Sequence, residues 1–173
     1  MAISLYDGSV VSYLQTLGAV SGFLERGLLH CRENGIDPEE IVETRVYADM
    51  LPFRFQIQSV VHHSVGAIEG ISSGVFRPPS DLPAHNYSAL QSLVADAREG
   101  LKKLSAEEIN AREGAEVIFE FRDLKLPFTA EGFVLSFSLP NLHFHATTAY
   151  DILRSKGVAL GKRDYLGRLR LKA

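Results

Sequence analysis

The chain has one cysteine among 173 residues and no tryptophan. With Cys31 alone, no disulfide can form within it, which fits a reducing compartment. Cys31 falls near the end of a helical pattern and reads as a small buried hydrophobe rather than a nucleophile. No apolar run approaches the ~18 residues of a membrane span, and no charged-then-apolar leader opens the chain. A soluble, cytoplasmic protein is expected. There is no strong excess of either charge: 18 Lys and Arg stand against 21 Asp and Glu, for a net charge of −3. Neither nucleic acid nor an anionic membrane is called for as a partner. The local exception is Lys162, Arg163, Arg168, Arg170 and Lys172, interrupted by Asp164, which reads as a solvated tail. GxGxxG and GxxxxGK[ST] are absent, so no phosphate cradle is indicated. GxSxG and CxxC are absent too, which removes the nucleophile elbow and the zinc finger. There is no internal repeat and no low-complexity tract.

What is present is ordinary globular composition, 46% hydrophobic and 23% charged, which predicts one domain over residues 1–173. From Ser4 to Asn34, Val10, Tyr13, Leu14, Leu17, Val20, Phe23, Leu24 and Leu28 recur at helical spacing, and Asn34-Gly35 ends the run. Asp37-Pro38-Glu39-Glu40 predicts a capped short helix ending near Thr44. A second long helix is expected to begin at Met50 to Pro52 and to close at Gly70 to Gly74. Val75 to Pro83 carries three prolines and reads as a loop. A third helix spans Tyr87 to Leu104, and Ser105 caps one more turn. Val117, Phe119 and Phe121 alternate with polar residues, the mark of a two-stranded excursion. A final helical region runs from Thr129 to Lys156, broken or kinked at Pro140, with Gly157 at its end. The expected fold is all-α, an up-down helical bundle with a short β-hairpin before the last helix.

Four of the six histidines fall where a core should be: His62, His63, His143 and His145. Adjacent helical positions point about 100° apart, so at most one of His62 and His63 can face the core squarely. His143 and His145 diverge in a regular helix but could share a side in an extended stretch after Pro140-Asn141. On a helix starting at Pro140, His145 shares the small apolar face of Thr148, Ala149 and Ile152. As a satisfied packing residue each imidazole needs only a carbonyl; as a functional group it can move a proton near neutral pH or bind a metal. Tyr13, Tyr47 and Tyr150 could donate to a substrate oxygen. Asp49 could hold an imidazole in one tautomer, or pair locally with Arg45 four residues before it. A zinc or nickel site needs about three protein ligands. His62 and His145 supply two, with Asp49, His63 or His143 as a third.

Arg45-Val-Tyr-Ala-Asp49-Met50, Gln56-Ile-Gln58, the long stretch Leu139 to Arg154, Gly157-Val158 and Gly161 to Gly167 together resemble an uncharacterised domain family of the DinB/YfiT-like superfamily. The likeness covers nearly the whole chain. It implies an up-down-up-down four-helix bundle, commonly a homodimer. It also implies kinship with metal-dependent hydrolases and thiol-dependent transferases and isomerases. Those relatives hold a divalent metal with one histidine on the second helix and an HxxxH pair on the last. By position His62 corresponds to the first and His145 to the start of HxxxH, but the closing position is Ala149.

Two functions are therefore expected as alternatives. The first is a small-molecule enzyme with its pocket between the second and last helices. His62 and His145 are its central pair, Asp49 and Tyr13 support them, and His143, Tyr47 and Tyr150 contact the substrate. Its chemistry is metal-free acid–base or metal-assisted. The second is a non-catalytic bundle that binds a ligand or associates as a dimer.

Overall fold

Side-chain caps start the short and long helices where turn chemistry places them. Asp37 accepts from the Glu39 N–H at 3.0 Å, Asn86 from Ala89 at 2.8 Å and Ser105 from Glu108 at 3.1 Å. The computed structural model describes residues 3–172. It is mostly helical with one small sheet. A π-helical turn, Asp7–Val11, leads into α1 (Ser12–Asn34), followed by α2 (Pro38–Val42). α3 (Phe53–Val61) passes through a second π turn, His62–Gly66, into α4 (Ala67–Ser73) and then β1 (Val75–Phe76). α5 (Tyr87–Lys102) and α6 (Ala106–Asn110) precede β2 (Glu116–Phe121) and β3 (Leu124–Thr129). α7 (Ala130–Phe133), a third π turn (Val134–Ser138) and α8 (Leu139–Ser155) follow, then α9 (Lys162–Leu166).

α3 packs on α8 and α5, and α1 packs on α5, α8 and α9. Leu17, Val20 and Phe23 of α1 are fully buried, with Phe53 and Ile57 of α3, Leu90 and Val94 of α5, and Leu142 and Ile152 of α8. Burying such side chains stabilises the fold by about 1.5–3 kcal/mol each. The α1–α5 seam depends on Gly27. The Tyr87 hydroxyl crosses it to donate to the Leu24 carbonyl at 2.8 Å. A Cβ at Gly27 would overlap that hydroxyl and lie 3.0 Å from Leu153 Cδ2.

Three details differ from the sequence expectation. The proline-rich segment begins with a strand: β1 pairs in parallel with β2, Val75 opposite Ile118 and Phe76 opposite Phe119, so the sheet has three strands. Two residues are too few to show a period, and only the neighbouring β2 makes them a strand. Pro140 does not break the last helix. It sits in the first turn of α8, and the π turn before it absorbs the missing N–H. The basic tail is also partly docked. α9 lies on α1, Asp164 accepts from the Gly161 N–H at 2.7 Å, and it pairs with Arg26 at 3.2 Å.

Candidate functional site

The π turn at His62–Gly66 sets the geometry of the site. Such a turn inserts one extra residue into the helical repeat, so side chains after it are rotated from the rows a regular helix would give. His63 becomes buried, at 9% exposure, while His62 stays half-buried beside it. Gly66 leaves room for the His62 ring, since a Cβ there would stand 2.9 Å from His62 Nδ1.

Three imidazoles meet in one cavity of about 210 Å³ between α3 and α8. The His63 and His145 rings lie nearly parallel, 13° apart, with centroids separated by 5.8 Å. His62 meets His63 edge-on at 5.5 Å. Phe76 from β1 closes the other side, 4.5 Å from the His62 ring and 5.6 Å from His63. Phe119 and Phe137 extend the aromatic wall, and Pro78 and Pro79 form a rim. The short sheet thus has a purpose within the fold: it carries Phe76 and Phe119 to the mouth of the histidine cluster.

Burial disfavours the charged imidazolium in this setting. It holds His63 down to about 3, with the neighbouring His62 and His145 adding to the effect. His145 is held down to about 4, again by burial. His62 is also lowered by burial, with the Arg77 backbone opposing. At neutral pH the cluster is uncharged.

Two hydrogen-bond chains fix the orientation of the cluster. Gln56 Nε2 donates to the Leu51 carbonyl at 2.9 Å, so its Oε1 is the acceptor that meets His145 Nδ1 at 2.8 Å. His145 therefore carries its proton on Nδ1 and a lone pair on Nε2. Behind the cavity, Ser138 Oγ donates to the His63 carbonyl at 2.7 Å and accepts from the Tyr13 hydroxyl, also at 2.7 Å. Three buried polar atoms of this region have no protein partner: His62 Nε2, His63 Nδ1 and Gln58 Oε1.

His62 and His145 line this cavity together, with His63 between them in contact with both. The other expected site residues lie elsewhere. Tyr13 is fully buried behind the cavity, and burial raises its hydroxyl pKa. His143 points to the opposite side of regular helix α8, where its Nδ1 lies 3.3 Å from the Tyr165 hydroxyl. Tyr150 packs edge-on to Phe23 and Tyr165. Tyr47 and Asp49 are exposed on the loop between α2 and α3. Arg45 does not pair with Asp49; its Nη1 donates to the Met50 carbonyl at 2.7 Å, because the loop turns before a helical spacing can form. Sequence reading left Gln56 and Gln58 without a role. Their signal was there: two amides within an apolar helix stripe must be bonded if buried.

The three-histidine divalent-metal centre that the resemblance implies is not completed by the residues present. Ala149 offers no donor one turn after His145. Among the described residues no group of three or more His, Cys, Asp and Glu is disposed to hold a metal ion.

The crystal structure of a DinB family member from Shewanella denitrificans superposes with a TM-score of 0.82 at 25% identity. The match covers 98% of this chain and 95% of that one. No match is found among the curated proteins. Residues 5–166 match the model of a family described as domain of unknown function (DUF1993). The chain belongs to that family, and its fold is DinB-like.

Proposed function

We propose that the protein acts on a small, mostly apolar molecule held between α3 and α8, and that the neutral imidazoles of the cavity exchange protons with it. The observation that carries this reading is the convergence of three neutral imidazoles, His62, His63 and His145, on one aromatic-walled hollow. His145 is the acceptor for the proton, since Gln56 holds its Nε2 lone pair free. The aromatic wall excludes water and takes the apolar body of the substrate. The same reading takes the long helices as an up-down-up-down bundle, supported by the packing of α1 and α3 on α5 and α8.

A second reading is a binding pocket without turnover. His145 leans on a neutral amide rather than a carboxylate, and imidazoles near 3 and 4 are weaker bases than neutral-pH catalysis favours.

The test is a screen of small neutral compounds by NMR on the whole protein, followed by deuterium incorporation into each bound compound in D2O. Exchange that His145→Phe abolishes supports turnover. Binding without exchange supports the second reading. Compounds that bind only elsewhere, leaving the His63 and His145 ring signals unmoved, would sink both.

A further inference from the structure

The segment after α9 is seated on the protein, and a glycine makes this possible. Gly167 turns at φ 61°, in the region that favours glycine. A Cβ there would stand 3.2 Å from the Gln15 carbonyl oxygen and 3.3 Å from Ala19 Cβ. Gln15 Nε2 donates to the Leu166 carbonyl at 3.0 Å and holds the turn against α1. Further on, Arg170 donates through Nη1 to the Asp7 carbonyl at 3.3 Å and through Nη2 to Ser12 Oγ at 3.4 Å. The segment therefore runs back along α1 and borders a groove of about 580 Å³.

Three guanidinium groups line this groove: Arg98 from α5, and Arg168 and Arg170 from the seated segment. Arg98 is half-buried, and its Nη2 lies over Gly18, 4.0 Å from where a Cβ would stand. Its Nε is enclosed, so the two Nη groups are what it offers to a ligand. Among the described residues the ion pairs engage Arg26, Arg54, Arg77, Lys102 and Lys125, and none of the three groove arginines. No carboxylate lines the groove. Asp7 gives Arg170 only its carbonyl and accepts at its carboxylate from Ser4 Oγ at 2.8 Å, while Glu99, beside Arg98 in sequence, is held by Lys102 at 2.6 Å. A cleft lined by charge of one sign concentrates its field on whatever enters. The rest of the lining is largely aliphatic, with Val11 and Leu14 on α1 and Leu169 on the segment.

We infer that this groove binds a small organic anion, a carboxylate or phosphate held by Arg98 and Arg168, with its apolar body laid on Val11, Leu14 and Leu169. Guanidinium forks match both oxyanions in bidentate fashion. The volume falls among small-molecule sites, which run roughly 300–1,000 Å³. The groove shares no lining residue with the histidine cavity, so the inference stands or falls apart from the reading of that cavity.

The experiment titrates phenyl phosphate and phenylacetate into the full chain at low ionic strength, against inorganic phosphate, acetate and benzyl alcohol. The two aromatic anions should bind about tenfold or more tighter than the ions without a ring and the alcohol without a charge. They should move the Arg98 Nε–H signal in NMR. Arg98→Gln should weaken them severalfold, and Arg168→Gln, on the exposed segment, serves with the same expectation if the first variant does not fold. Lys162→Gln removes the same charge outside the groove and should leave binding unchanged. Inorganic phosphate or benzyl alcohol binding as tightly as phenyl phosphate overturns the inference. An equal loss from Lys162→Gln and Arg168→Gln overturns it too, since diffuse charge would then suffice. Phosphatidylserine vesicles that retain the chain while both soluble anions fail would make the patch a membrane contact and overturn it as well.

Discussion

Gln56 and His145 lie 89 residues apart in sequence and share a 2.8 Å hydrogen bond between α3 and α8. The bond joins the two helices that form the cavity walls and decides which imidazole nitrogen carries the proton. Its origin is the Leu51 carbonyl, which claims the other end of the amide.

Gln56→Leu should therefore do two things. Leaving the Leu51 carbonyl and His145 Nδ1 unpaired should cost about 1–3 kcal/mol in urea unfolding. The His145 ring should also lose its single tautomer, visible as averaged nitrogen shifts in imidazole NMR. A ring that keeps its proton on Nδ1 in the variant would show that the amide is not what fixes it.

Stability should fall in mild acid. The imidazoles titrate near 6.5 in the unfolded chain, but burial holds His145 to about 4 and His63 to about 3 in the folded one. Below pH 6.5 the unfolded state therefore binds protons that the native state refuses, and stability declines until the pH reaches the folded values. Above 6.5 neither state is charged and the effect is absent. From His145 alone the loss by pH 4 is about 3 kcal/mol. His63→Phe should flatten the slope in urea unfolding measured between pH 7.5 and 4.5. An unchanged slope would count against burial as the cause.

The chain from Tyr13 through Ser138 to the His63 carbonyl predicts an order of costs. Ser138→Ala strands both the carbonyl and the tyrosine hydroxyl and should cost about 2–4 kcal/mol. Tyr13→Phe leaves the serine still donating to the carbonyl and should cost about 1 kcal/mol. Thermal unfolding of the two variants would reverse this order if Tyr13 were the more important partner.

At the α1–α5 seam, Gly27→Ala should destabilise by about 1–3 kcal/mol through overpacking against Tyr87 and Leu153. Tyr87→Phe removes the crowding hydroxyl. The double variant should therefore cost less than the sum of the single changes, and strict additivity in the cycle would mean that the two do not touch.

The fold was largely legible because its markers are local. Asp37 and Ser105 announce helix starts, Gly35 announces an end, and the alternation of Val117, Phe119 and Phe121 announces β2. The meeting of His62 and His145 at one cavity could be posed from sequence as an expectation but not located. The place of His63 could not be read, because its orientation depends on a π turn that no residue pattern marks. Phe76 was hidden for a related reason. Its strand is two residues long and exists only beside Ile118 and Phe119. The amides were visible as letters, but which end of each is tied to the backbone depends on carbonyls supplied by segments outside the helix.

The spare residue in the second long helix carries a consequence for how length changes would act on this protein. Deleting Ser64 or Val65, neither of which lines the hollow, would let the ladder relax to the regular repeat and turn everything downstream by about 100°. α4 and the strand after it would swing away from the imidazoles, although every residue lining the hollow would still be encoded. A single-codon deletion there is thus expected to disassemble the site more thoroughly than any one substitution within it.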